Sequence, residues 1–143
     1  RSIEQGERSG EGIVPLGETL QRRHCLHHVA VRLGFRAWSH AAAVLQGKER
    51  EDWGTLMYRD GAGMTNIWMA TYDEAREIHA SSTGFLLPYA RQFQIVEAPY
   101  IQWLGLDPRH PDWEAIGRDW VRPKDASARD RIAGRRIDAV LSS

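Results

Sequence analysis

Four side chains with metal-ligand or nucleophile chemistry crowd one short stretch: His24, Cys25, His27 and His28. His24 and His28 are four residues apart, so a helix would bring both imidazoles to one face, where they can ligate a metal. His40, beyond the next turn, offers a third donor, and a zinc site needs three or four with a supporting outer shell. The plainer reading is a solvated helix face around a small buried Cys25, and no metal or other cofactor is expected. A nucleophilic Cys25 would need a depressed pKa and a positioned base. Its expected burial in mid-helix argues against both.

A second set is spread along the chain. Tyr58, Asn66, Trp68, Tyr89, Arg91, Gln92 and Gln94 lie in or beside segments that read as strands. Two-residue alternation puts Asn66 and Trp68 on one face and Ile67 and Met69 on the other. Left uncovered by helices, the first face is an aromatic platform with amide and guanidinium donors. Such platforms bind small ligands, extended peptides or single-stranded nucleic acid. Covered, the same face makes Trp68 and Tyr58 core residues. The run Gly61-Ala62-Gly63-Met64-Thr65-Asn66 opens like a dinucleotide fingerprint, but Asn66 stands where the third glycine belongs and no helix start follows. It reads as a hairpin turn. The sequence carries no phosphate-binding P-loop, no G-x-S-x-G and no H-E-x-x-H. Asp60, Asp73, Glu74 and Glu77 are explained by turn and helix-start chemistry, with nothing to split a catalytic pair of pKa values. Arg129, Arg131, Arg135 and Arg136 are interrupted by Asp130 and Asp138, and read as a solvated helix face more than a phosphate-binding row.

The elements that must position these residues follow from periodicity and caps. Leu26, Val29, Ala30 and Leu33 recur at i, i+3, i+4, i+7, predicting a helix from Pro15 to Leu33. Gly34 and Phe35 suit the left-handed residue and the apolar contact that close it. A second helix over 37–46, with Trp38, Ala41, Ala42 and Leu45 on one face, completes a helical hairpin. Residues 53–58 and 64–70 then read as paired strands. Thr71 to Glu74 is a capping box opening a helix to about 82. Residues 85–89 and 92–97 read as a second strand pair, with Pro88 marking an edge or bulge. Short helices are expected at 99–104 and 111–118, and a last one, capped by Asp125, to about 141 with Ile132, Ala133, Ile137, Val140 and Leu141 inward. Together they predict an α+β fold: an N-terminal helical hairpin, a small antiparallel sheet of about four strands in ββ-α-ββ order, and C-terminal helices. The expected organisation is a flexible tail over 1–12 and a single α+β domain over 13–143. Within it, 13–47 forms the hairpin, 53–97 the sheet region and 98–141 the helical region.

Composition narrows the setting. The 143 residues are 42% hydrophobic with zero net charge, ordinary for one globular domain, so overall charge nominates neither nucleic acid nor a membrane surface. Charge is uneven along the chain: +3 over 1–50, −6 over 51–117 and +3 over 118–143. Opposite charges meeting inside the fold explain this without a charge-specific partner. One cysteine excludes an intrachain disulfide, and with no apolar run near the length of about 18 residues that a membrane helix needs, a reducing, cytoplasmic setting is expected. The opening Arg1 in place of Met is expected of a fragment, a processed product or a trimmed chain.

The segment Leu26–Leu45, with Gly34-Phe35-Arg36-Ala37-Trp38 at its centre, resembles the G-F-x-x-W helical hairpin of the bacterial glyoxalase-related N-terminal domain. The resemblance covers about 20 residues, implies packing roles for the aromatic positions and carries over no catalytic residue. The rest, including Leu87-Pro88-Tyr89 and Leu106-Asp107-Pro108, resembles an uncharacterised bacterial family. The expected function is a non-enzymatic binding or protein-interaction module using the aromatic and polar strand face, with a small molecule or a protein as partner. The alternatives are a small nucleic-acid-contacting regulator and an enzyme with a pocket between sheet and helices.

Overall fold

The helix predicted from the Leu26 stripe ends as its last residues dictate. Gly34 takes φ +97°, Gly34 N–H donates to Val31 O at 3.0 Å, and Phe35 N–H donates to Ala30 O at 2.9 Å. This is the Schellman pair of bonds, and Phe35, Ala30 and Leu33 are all buried behind it. The computed structural model describes residues 16–61 and 63–143. The tail expected at 1–12 and the Pro15 helix start lie outside them.

Helix α1 spans Leu16–Arg32 and α2 spans Trp38–Leu45, followed by β1 (Ile67–Met69), α3 (Tyr72–Ala80), β2 (Phe85–Tyr89) and β3 (Gln92–Val96). Three helices complete the described chain: α4 (Ala98–Trp103), α5 (Pro111–Ala115) and α6 (Ala126–Leu141). The fold is α+β, with an antiparallel sheet in the order β1-β3-β2. The capping box forms at α3: Glu74 N–H donates to Thr71 Oγ1 at 3.2 Å. The Thr71 hydroxyl in turn reaches the Glu74 carboxylate at 3.3 Å, where a return bond to the cap amide was expected.

Among the described residues the sheet has three strands, not four, and the order is β-α-ββ. Residues 53–58 form a turn. Gly54 adopts φ +67°, Tyr58 N–H donates back to Thr55 O at 3.1 Å, and Thr55 N–H donates to Gly34 O at 2.9 Å. Leu56 and Met57 are adjacent yet both buried, which a strand exposing alternate faces does not allow. The strand-like composition here serves packing against the helical hairpin. The partner expected for 64–70 is therefore absent, and β1 pairs with β3 (Trp68 opposite Gln94, Met69 opposite Phe93).

Pro88 sits in an edge strand, as its missing N–H requires. Leu86 N–H points outward to Arg118 O at 2.8 Å; two residues on, the Pro88 nitrogen points the same way, so no bond to β3 is lost. Trp120 N–H donates to Leu86 O at 3.0 Å, which covers this edge.

The sheet separates two apolar layers. Phe85, Leu87 and Val96 face the main core, with Trp113, Trp120, Ile101 and Ile132. Met69, Leu86, Phe93 and Ile95 face Ala75 of α3. In α2 the buried face is His40, Ala41 and Val44, one step round from the expected Trp38, Ala41, Ala42 and Leu45; Trp38 is 40% exposed. Of the aromatic pair in the G-F-x-x-W segment, Phe35 is buried in the core and Trp38 is part-exposed. In α6, Ile132 and Ala133 are buried as expected, while Leu141 is exposed.

Candidate functional site

The tip of the β2–β3 hairpin is where candidate residues gather. Tyr89 and Gln92 face each other across the Ala90-Arg91 turn. Ala90 adopts φ +50°, a left-handed conformation that costs an L-residue about 1–2 kcal/mol. Two bonds from the 53–54 turn hold it there: Trp53 N–H donates to Ala90 O at 2.9 Å, and Ala90 N–H donates to Gly54 O at 2.8 Å.

On one face of this hairpin three rings meet. The centroids of Tyr58 and Tyr89 are 4.5 Å apart, those of Trp68 and Tyr89 5.4 Å, and those of Tyr58 and Trp68 6.4 Å. Trp68 remains 43% exposed. Beside the rings, Asn66 Nδ2 donates to Gln94 Oε1 at 3.1 Å. Gln94 is itself fully buried and donates onward to Met57 O at 3.5 Å. The Tyr58 hydroxyl donates to Asp60 Oδ1 at 3.2 Å. Desolvation, then the nearby Asp60 carboxylate, push the Tyr58 phenol above its usual pKa, so it stays a neutral donor.

The seven residues expected in or beside the strands are divided by the hairpin. Tyr58, Trp68 and Tyr89 share the ring cluster, and Asn66 joins them through Gln94. Gln92 is exposed and, two residues from Gln94, lies on the same face. Arg91 instead lines a cleft of about 730 Å³ on the Phe93 side of the sheet, where its guanidinium lies 3.7 Å from Glu51. That cleft is bounded by Trp53, Tyr72, Phe93 and Arg122. They come from a turn, a helix, a strand and a loop, so no local spacing marks them in the sequence.

The histidines do not converge. His24 and His28 touch through their Nε2 atoms at 2.9 Å. His40 is buried with both nitrogens engaged: Nδ1 accepts from Arg36 N–H at 3.1 Å, and Nε2 sits 2.6 Å from Asp52 O, so Nε2 carries the proton. Among the described residues no group of three His, Cys, Asp or Glu side chains is placed to hold a metal. Cys25 is exposed, which corrects the expectation of burial: it lies on the outer side of α1, off the Ala30–Leu33 stripe.

Of the α6 arginines expected on a solvated face, Arg131 is exposed and Arg135 half-buried, but the other two are buried. Arg129 is 5% exposed and Arg136 is 7% exposed. Arg129 donates to Trp120 O, Leu45 O and Val44 O at 3.1, 3.2 and 2.9 Å, covering the last carbonyls of α2. Arg136 donates to Leu56 O, Leu104 O and Tyr58 O at 2.7, 2.7 and 3.2 Å. Arg131 and Arg135 clamp Asp112 at 2.9 and 2.8 Å.

The hydrogen bonds from Arg131 and then Arg135 hold the Asp112 carboxyl well below the usual carboxylate range. Its folded pKa is depressed, so this stabilisation is fully present above the unfolded aspartate pKa of about 4 and fades as pH falls through the folded value. We expect stability to decline from about pH 5 downward, and Asp112→Asn to show a shallower acid slope. Urea melts across that range with identical slopes for the two proteins would refute the assignment.

The chain matches no family model, and no curated protein or solved structure is significantly similar to it. The functional reading therefore rests on geometry. No helix among the described residues is long and apolar enough to cross a membrane.

Proposed function

We propose that this protein is a non-enzymatic interaction module that captures an extended segment of a partner protein along β1. The observation that carries this is the Tyr58–Trp68–Tyr89 cluster, whose tryptophan stands 43% exposed on a strand paired, among the described residues, on one side only. An edge strand presents a row of backbone donors and acceptors to which an extended peptide can add. Alternating side chains of that peptide would fall against the rings, where Asn66 and Gln92 supply polar contacts. Ile67, 52% exposed on the opposite face, gives the added strand a second apolar contact. Tryptophan and tyrosine are the residues that most often dominate such interfaces.

The interaction reading is favoured over contact with nucleic acid because all four α6 arginines are engaged within the molecule. A row of free guanidinium groups would have been needed to neutralise phosphates.

Peptides selected by wild-type protein from a random display library are expected to lose about tenfold or more in affinity for Trp68→Ala. The variant should keep the wild-type circular dichroism spectrum, because the side chain is not part of either core layer. Peptides that bind both proteins equally, or a library yielding no binder, would remove the proposal.

A further inference from the structure

The cleft on the Phe93 side of the sheet has a wall of rings and a surplus of positive charge. Trp53 and Phe93 pack edge-on at 5.2 Å, and Tyr72 and Phe93 at 5.9 Å. The Tyr72 hydroxyl donates to Asp119, and desolvation, followed by that bond, pushes its pKa up. The ring is thereby held as a neutral, fixed surface. Arg122 sits over it, its guanidinium carbon 4.3 Å from the ring centroid.

Arg129 lines the same cleft and is nine-tenths buried. A guanidinium carries five N–H groups. Three of those on Arg129 go to backbone carbonyls, leaving two. Its nearest carboxylate, Asp130, stands at 3.9 Å and is largely solvated, too far for a hydrogen bond. A buried cation is normally matched by a close anion; here backbone carbonyls and the face of Trp120, 3.9 Å from the guanidinium carbon, surround it. The other carboxylates of the cleft are taken up. Glu49 accepts Glu51 N–H and Asp52 N–H at 3.1 and 2.9 Å, and Glu51 lies against Arg91. Among the described residues Arg50 and Arg122 line this cleft with no carboxylate in ion-pair range, and Arg129 has only the solvated Asp130 at 3.9 Å.

We infer that the cleft binds a small molecule with a flat aromatic ring and one anionic group. The ring would lie on the Trp53–Phe93–Tyr72 wall and the anion between Arg122 and Arg129. A nucleoside monophosphate and an aromatic carboxylate share this chemistry. The volume of about 730 Å³ falls within the range typical of small-molecule sites, about 300–1,000 Å³. This site uses none of the residues of the ring cluster on the other face, so it stands or falls independently of the β1 proposal.

Adenosine monophosphate, 4-hydroxybenzoate and inorganic phosphate, titrated separately into ¹⁵N-labelled protein, test the assignment. Saturable shifts of the Trp53 indole and the Arg91–Phe93 amides are expected with at least one aromatic anion; which one responds identifies the source. Arg122→Ala, at an exposed position, should weaken that binding on the order of tenfold, the loss of one charge-assisted contact. Trp68→Ala should leave it unchanged. Arg129→Ala is unsuited as the only variant because it also uncovers the α2 carbonyls. Absence of saturation with both aromatic anions, equal affinity for inorganic phosphate, or unchanged binding by Arg122→Ala would each overturn the inference.

Discussion

Replacing Arg136 with alanine is expected to destabilise the fold by about 3–5 kcal/mol, a large share of the 5–15 kcal/mol typical of a whole domain. The guanidinium sits among three backbone carbonyls from two segments, those of Leu56 and Tyr58 in the 53–58 turn and that of Leu104 after α4. Leu56 and Leu104 are buried, so neither carbonyl can turn to water once the donor is gone. A hydrogen bond from a charged donor contributes about 1.5–3 kcal/mol, and each buried acceptor left unmatched costs about 1–3 kcal/mol. Desolvation, then Arg59 nearby, lower the Arg136 pKa, but an arginine starts so high that it stays charged at neutral pH. Arg136→Lys should recover only part of the loss, because a compact ammonium cannot span a set of acceptors arranged for a planar fork. Urea unfolding of the three proteins measures this. A loss below about 1 kcal/mol for the alanine variant, the size of an ordinary substitution, would show that the carbonyls do not depend on it.

Gly54→Ala should destabilise by about 2–5 kcal/mol, from two additive causes. The φ of +67° costs an L-residue about 1–2 kcal/mol. The added methyl would also lie 2.6 Å from both Gly34 O and Phe35 Cδ1, and overfilling a packed site costs about 1–3 kcal/mol more. Neither neighbour can retreat. Gly34 O is held by Thr55 N–H at 2.9 Å, and Phe35 is buried at the closure of α1. Gly47 supplies the control. It has φ +74° but open space where a Cβ would go, so Gly47→Ala should show the conformational cost alone. Equal losses for the two substitutions would mean that the contact between the 53–54 turn and the helical hairpin tolerates a methyl group.

The parts of the fold legible in the sequence are those fixed by neighbours within a few residues. The Leu26–Leu33 stripe, the Gly34-Phe35 ending, the Thr71 capping box and the Pro88 edge strand all belong to this class. The segment from Trp53 to Tyr58 does not. Its residue types favour a strand, but its amides are satisfied by Gly34, Thr55 and Ala90, and tertiary packing overrides the local preference. The buried arginines were within reach. Arg129, Ile132, Ala133 and Arg136 follow the same i, i+3, i+4, i+7 spacing as Leu26, Val29, Ala30 and Leu33, and the stripe faces inward regardless of charge. Judged by residue type, the arginines were assigned to solvent; judged by position, they belong inside.

The candidate surface was legible in part for the same reason. Alternation places Asn66 and Trp68 on one face of β1, and that face does carry the rings. Tyr58 reaches them from a turn, and Tyr89 from a strand two elements away, which spacing cannot reveal. Arg91 falls on the other face because it is two residues from Phe93 and one from Gln92, so the same alternation sends it to the Phe93 side.

The routing of α6 bears on how the chain matures in the cell. Carbonyls at residues 44, 45, 56, 58 and 104 all await donors from residues 129 and 136. Synthesis makes these acceptor groups well before their guanidinium partners, so a nascent chain stalled ahead of Ala126 lacks the groups that bind its earlier segments together. The native packing is therefore complete only once this helix is in place, and a chain lacking it would leave apolar surface uncovered.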